Sequence, residues 1–251
     1  MQAILTLTGD DFKQGLRELL AGQEADSQLK LGHLEKTAFQ WEARFRPVLL
    51  AFVNDPLVTG RVREVLALIG MPEDLRMITS LALPSLNAPV YHPCLACIAA
   101  ELVRPDDDSE WSFLRDCVIN ASREGGVEIV AIQSLKLNGS PRSEAILQVA
   151  KRKNPDWSVV QDALAYVRSK PVPLEGPSLT ALAKRVAPLL MKADSSRFGR
   201  PRFNESGDKA LIDFTLSAPG DRSTYTATFH KANGLWVLRG VRPAVSVITI
   251  N

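Results

Sequence analysis

Long apolar runs are missing from this 251-residue chain. No window approaches the roughly 18–20 consecutive apolar residues that a membrane-spanning helix needs. Cysteine is scarce: the three residues Cys94, Cys97 and Cys117 cannot all pair with one another, so a disulfide framework is not the source of the fold. Histidine is as scarce, and His33, His92 and His230 fall in three separate segments. The sequence has no Gly-x-Ser-x-Gly, no His-Glu-x-x-His, no phosphate loop and no dinucleotide-binding glycine pattern, so no reaction can be read from it. Carboxylates that meet only in space stay open at this level. A dominant charge is also lacking, since the formal net charge of +2 is too small to argue for nucleic acid or an anionic membrane. The first residues, MQAILTLTGDD, carry neither a basic stretch nor a small-residue cleavage site. The chain therefore reads as cytoplasmic, or as the mature form of an exported protein.

What is present is a folded composition, 45% hydrophobic and 23% charged. Its length suits two domains of ordinary size. The charge is unevenly placed. From Gly176 onward 11 Lys and Arg stand against 5 Asp and Glu, whereas the preceding residues hold 19 and 23. A helical part of net negative charge is a poor counterion for phosphates, and the basic C-terminal part suits either ordinary solvation or an acidic partner.

Helical periodicity runs through the first two thirds. Phe12, Leu16, Leu19 and Leu20 share a face that Gly22 ends, and Leu31, Leu34, Ala38, Trp41 and Phe45 form a second seam before Pro47 breaks the chain. From Asn54 a grammar of paired helices repeats. Val62, Val65, Leu66 and Ile69 stand at i, i+3, i+4 and i+7, and Gly70-Met71-Pro72 turns into a helix with Leu75, Ile78 and Ala82 on one face. Leu95, Ile98, Ala99 and Leu102 pair with Trp111, Leu114, Val118 and Ala121. Val127–Leu137, apolar nearly all round, pairs across Asn138-Gly139-Ser140-Pro141 with Ile146, Val149 and Ala150. A further helix carries Val160, Ala163, Leu164 and Val167. First helices near 61, 93, 127 and 157 repeat about every 30–35 residues, the period of an α-solenoid whose helix pairs bury their apolar sides by stacking.

The stretch VREVLALIGMPEDL, Val62–Leu75, resembles a HEAT repeat, and VEIVAIQSLKLNGSP and WSVVQDALAYV resemble first helices of later repeats. Glu128 and Gln161 depart from the pattern, standing where that family usually has Arg. The resemblance covers roughly 55–170. It implies a curved scaffold presenting a concave face to another macromolecule.

The register changes after Ser169. Lys170–Pro177, with three prolines and a glycine, reads as a linker between a helical domain (1–170) and a small α+β domain (178–251). One helix carrying Leu179, Leu182, Ala183, Val186 and Leu190 follows, and Pro188 should kink or shorten it. The period then drops to two over Ile212–Leu216, Tyr225–Phe229 and Trp236–Leu238, with turns at Ala218–Asp221 and Ala232–Gly234. Arg200–Asn204 and Val245–Ile250 are candidate edge strands, giving an antiparallel sheet of about four strands with the helix on one face. The last hairpins resemble the sheet of NTF2-like domains.

The candidate sites are few. His92-Pro93-Cys94-Leu95-Ala96-Cys97 with Cys117 allows a Cys₃His zinc site or redox chemistry, set against ordinary packing of small buried thiols. Asp106-Asp107-Asp108 precedes a helix and reads as a cap. Arg197, Arg200 and Arg202, interleaved with Phe198 and Phe203, suit stacking on single-stranded nucleic acid or a charge-protected edge strand. His230 reads as an exposed strand edge. On the second helices, Arg76, Arg115, Arg142 and Lys151 are the inner-face candidates for contact with a partner.

These features predict a non-enzymatic interaction protein with a protein partner, without cofactor or nucleic acid, its C-terminal domain a second surface or a cap on the stack. Two rivals come from other classes. Some HEAT-like proteins are bilin lyases or alkylpurine DNA glycosylases, the latter needing a basic channel that the acidic helical part does not offer. A cone-shaped sheet could instead enclose an apolar ligand.

Overall fold

The structure, a computed structural model, describes residues 2–22, 26–82, 93–120 and 126–243. Among these, α1 (Gln2–Thr6), α2 (Gly9–Ala21), α3 (Asp26–Gln40), α4 (Glu42–Ala51), α5 (Thr59–Ile69) and α6 (Pro72–Ala82) come first. They are followed by α7 (Pro93–Ala100), α8 (Asp108–Asn120), α9 (Val127–Asn138), α10 (Pro141–Lys153) and α11 (Ser158–Arg168). The helices starting at Thr59, Pro93, Val127 and Ser158 are spaced by 34, 34 and 31 residues, as the periodicity predicts. Successive neighbours α5, α7, α9 and α11 form one row and α6, α8 and α10 a second row beside it.

Local chemistry sets the ends. Asp107 Oδ1 accepts from the backbone of Ser109 at 2.9 Å and Glu110 at 3.1 Å, capping α8 as the sequence predicts. Ser140 Oγ accepts from Ser143 N at 3.3 Å with Pro141 next in line, and Gly139 (φ 69°) supplies the left-handed residue that closes α9. Cations from other elements satisfy carbonyls left open at helix C-termini. Arg61 donates to Gly22 O at 2.6 Å after α2, Arg63 to Leu81 O at 3.3 Å in α6, and Lys209 to Ile69 O at 2.9 Å in α5.

Two helix details differ from the sequence reading. The break in the second seam falls at Trp41, and Pro47 lies on the exposed side inside α4. A proline there removes one N–H without placing its ring in the core, so the helix continues. In α9 Ile129 is 42% exposed, so the helix is buried on most sides but not all.

The chain then forms β1 (Glu175–Gly176), α12 (Leu179–Leu190), β2 (Ser195–Phe198), β3 (Arg202–Phe203), β4 (Lys209–Ala218), β5 (Asp221–Ala232) and β6 (Leu235–Pro243). Among the described residues the antiparallel sheet has six strands in the order β1-β6-β5-β4-β2, with β3 also on β4. That is more than the alternation predicts. β1 lies inside the proline-rich stretch, pairing Glu175 with Val237, and β2 is an exposed edge without an apolar alternation to announce it. Arg202–Phe203 confirms the expected edge near 200–204, shifted by one residue from β2 at Gly199-Arg200-Pro201. Val245–Ile250 lies outside the described residues. Pro188 is exposed and α12 runs on to Leu190.

The two faces of the sheet differ. Ile212, Phe214, Leu216, Ala227, Phe229, Trp236 and Leu238 pack with Leu182, Ala183 and Val186 of α12 in one apolar core. Each fully buried aromatic there adds about 1.5–3 kcal/mol. The opposite face carries Lys209, Asp213, Thr226, Thr228, Arg239 and Arg242 and lies against α3, α7 and α9, along the side of the first row. A second, larger apolar core joins the helices and, among the described residues, takes only Leu211 from the sheet.

Close approach of the two parts depends on Gly240. A Cβ at this position would stand 2.4 Å from Glu101 Oε2, 2.7 Å from Glu101 Cα and 2.8 Å from Ala100 O, so the end of α7 could not lie where it does. The β5–β6 register shifts between Thr228 and Phe229, which lets β6 present Gly240 opposite Thr228. Gly240→Ala is expected to destabilise the fold by about 1–3 kcal/mol, measured by urea unfolding; an unchanged midpoint would contradict this packing.

Candidate functional site

The polar face of the sheet meets carboxylates from the helices. Arg242 is 4% exposed; its Nε donates to Glu101 Oε1 at 3.0 Å and its Nη1 to Glu35 Oε1 at 2.8 Å. Glu101 is itself 1% exposed, and beside it Cys97 Sγ donates to Glu64 Oε1 at 2.9 Å. Burial pushes the carboxyls of Glu35 and Glu101 up, and the Arg242 charge opposes that push in both. Lys209 extends the contact, with Nζ 2.8 Å from Glu42 Oε2, and Asn204 Nδ2 donates to Glu42 Oε1 at 3.0 Å. Lys36 of α3 pairs with Asp213 of β4 at 3.0 Å. Burial would raise the Asp213 carboxyl, but hydrogen bonds from Lys36 and Thr226 and the charges of Lys36 and Arg202 outweigh it and hold it low.

At the other end of the junction Arg239, 8% exposed, donates through Nη1 to the carbonyl of Arg104. Its Nη2 lies 3.2 Å from Asp106 Oδ2 and 3.9 Å from Glu110 Oε1. Beside it opens a cavity of about 240 Å³ between the sheet and the start of α6, lined by Gly70, Pro72, Leu75, Arg104, Asp106, His230, Ala232, Val237 and Arg239. His230 therefore does not sit on an exposed edge. Strand β5 is interior to the sheet, and burial, then the Arg239 and Lys209 charges, push the imidazole down to about 3. It is neutral at ordinary pH.

The partner-contact candidates fall in two places. Arg76 (α6), Arg115 (α8), and Arg142 and Lys151 (α10) are exposed on the second row. Arg76 lies 3.3 Å from Asp107 and Arg142 2.7 Å from Asp108, so both converge on the start of α8, and Arg142 also stacks on Trp111 at 4.9 Å. Arg115 pairs with its neighbour Asp116 at 3.0 Å. Arg197 and Arg200 are exposed along the sheet edge, whereas Arg202 is held by Asp213 at 2.9 Å.

The cysteines do not assemble a site among the described residues. Cys97 faces Glu64, Cys117 is fully buried in the helical core, and burial pushes both thiols well above their ordinary range. The His92 position and the Cys94 side chain lie outside the described residues, and among those described no group of three or more His, Cys, Asp or Glu could hold a metal. Nor is any described helix long and apolar enough to cross a membrane. The apolar side of the sheet is filled by α12, and an open cleft of about 520 Å³ lies between the end of α12 and β2, lined by Lys184, Met191, Phe198 and Leu216 among others.

Comparison of the chain with family models, curated proteins and solved structures found no match. Sequence reasoning passed over Arg239, Arg242, Lys209 and the glutamates that hold them. Alternation in β4 places Lys209 on the polar face, but Arg239 and Arg242 are three residues apart and share that face only through the β5–β6 register shift, which alternation does not announce; nor does alternation say that the face is covered.

Two outcomes follow from the buried charges. Arg242→Leu strands Glu35 and Glu101 and is expected to cost about 3–5 kcal/mol in urea unfolding at neutral pH. That deficit should shrink as pH falls, because carboxyls whose folded pKa is raised bind protons more readily folded than unfolded. His230 works the other way. Between its unfolded value of 6.5 and its folded value of about 3 the unfolded chain binds the extra proton, so stability falls as pH drops through this window. His230→Gln should flatten the stability–pH curve there; an equally steep curve would contradict a neutral His230.

Proposed function

We propose that the chain is a non-enzymatic interaction protein, a HEAT-like stack of helix pairs whose second-row helices bind a protein partner. The observation that carries this reading is the division of labour between the rows. The sheet occupies the side of the first row, while α6, α8 and α10 leave Arg76, Arg115, Arg142 and Lys151 in solvent. The 31–34-residue step between Thr59, Pro93, Val127 and Ser158 and the two-row order of the helices support the solenoid reading.

The surface chemistry fits an acidic protein face. Arg76, Arg115 and Arg142 are each paired with an aspartate, but exposed pairs of this kind contribute only about 0–1 kcal/mol, so their guanidiniums can exchange partners at little cost. Lys151-Arg152-Lys153 adds cations at the end of α10. Contact with such a row would be steered by charge and weakened by salt.

The test is recovery of partners from cells expressing the chain, compared with a variant in which Arg76, Arg115, Arg142 and Lys151 are all replaced by Glu. The variant should fold as the parent does by circular dichroism and should recover the partner about tenfold less well or worse. Equal recovery by parent and variant would remove these residues from the interface, and no partner for either would remove the scaffold reading.

A further inference from the structure

Arg239 is a buried cation with an unused edge. Its Nη1 is committed to the Arg104 carbonyl, yet Nε and Nη2 are shut from solvent and make no hydrogen bond. Buried donors left unmade are costly and rare in folded proteins. The Nε–Nη2 edge of a guanidinium is also the fork that receives a carboxylate through two parallel hydrogen bonds. One carboxylate already approaches it. Asp106 Oδ2 lies 3.2 Å from Nη2 without hydrogen-bond geometry, and its side chain is 49% exposed on the chain between α7 and α8. A second oxygen, Glu110 Oε1, is too distant at 3.9 Å and is itself without a hydrogen bond, while Oε2 of the same group accepts from Asp106 N at 2.6 Å.

Arg239 and Asp106 both line a cavity whose size and lining suit a small ligand. Leu75, Val237 and Ala232 give it apolar walls, Arg104 a second cation and His230 a neutral ring. At about 240 Å³ it lies below the roughly 300–1,000 Å³ of drug-sized pockets, which limits the occupant to a few heavy atoms. A guanidinium edge with two unmade donors, uncovered when Asp106 moves aside, suits a single carboxylate better than a phosphate, which needs donors around three oxygens.

We propose that this cavity binds the carboxylate of a small, largely apolar acid, with Arg239 as the anchor and Asp106 as the internal carboxylate that the ligand displaces. Displacing Asp106 costs little, because the half-exposed group regains water when it swings away. None of the four second-row cations assigned to a protein partner takes part, so this site stands or falls separately from that interface.

The experiment titrates the full chain with butyrate, with benzoate and, in a separate arm, with inorganic phosphate. Binding is followed by NMR of the Arg239 Nε–H and the His230 ring. Saturable shifts at both groups with a carboxylate are expected. Asp106→Asn should bind several-fold more tightly, because the internal competitor is gone, and Arg239→Gln about tenfold or more weakly. Arg239 also holds the Arg104 carbonyl, so the exposed variant Ala232→Glu, which sets a like charge at the cavity, provides a second test with little risk to folding. Loss of binding in Ala232→Glu supports the site. Three results would overturn it: no saturable response up to millimolar carboxylate in either the parent or Asp106→Asn, a response to phosphate alone, or binding unchanged in Ala232→Glu.

Discussion

Arg242 decides how the two parts of this protein fit. A guanidinium at 4% exposure is tolerated only when its charge and donors are met, and here Glu101 and Glu35 meet them at 3.0 and 2.8 Å. The first glutamate follows α7 and the second lies in α3, so the pairings fix β6 against two helices at once. Gly240, two residues away, removes the side chain that would hold Glu101 off, and the shift in the β5–β6 register brings it into place. Without this junction the polar face of the sheet would simply face water. With it, two separate apolar cores are joined across a layer of charge.

The same layer gives meaning to the uneven charge of the chain. The excess of Lys and Arg after Gly176 reads in sequence as solvation or as attraction for an acidic partner. Much of that partner is the chain's own helical part. Lys209 meets Glu42, Arg242 meets Glu35 and Glu101, and Arg239 meets Asp106 and Glu110. Lys209 also satisfies a carbonyl of α5, and two other cations are engaged at helix ends, Arg61 at Gly22 after α2 and Arg63 at Leu81 in α6. The cations left in solvent include Arg76, Arg115, Arg142 and Lys151 on α6, α8 and α10 and Arg197 on β2, along with others such as Lys13, Lys184 and Arg222.

The helices were legible in the sequence because their signals are local. The i, i+3, i+4 spacing of Val62, Val65, Leu66 and Ile69 and the cap at Asp107 each depend on residues a turn away, and both hold. The strands of β4, β5 and β6 were legible for the same reason. What escaped was non-local. β1 is two residues held by β6, and β2 is an exposed edge held by β4, so neither carries a periodic signal of its own. His230 looked like a strand end by a turn, but its surroundings are set by the helices packed on its sheet. Of the candidate site, the exposed arginines could be named from helix position. The Arg242 and Arg239 pockets could not, since their hydrogen-bond partners lie 135 to 207 positions away in the chain.

The central claim is that buried charge makes the helices and the sheet a single cooperative unit. Native-state hydrogen exchange across a urea series tests it most directly, comparing amides of Leu66 and Leu135 in the helical core with those of Phe229 and Leu238 in the sheet. The account predicts that all four converge on one unfolding free energy with one urea dependence. Sheet amides that open on a separate, shallower isotherm while the helices stay closed would contradict it.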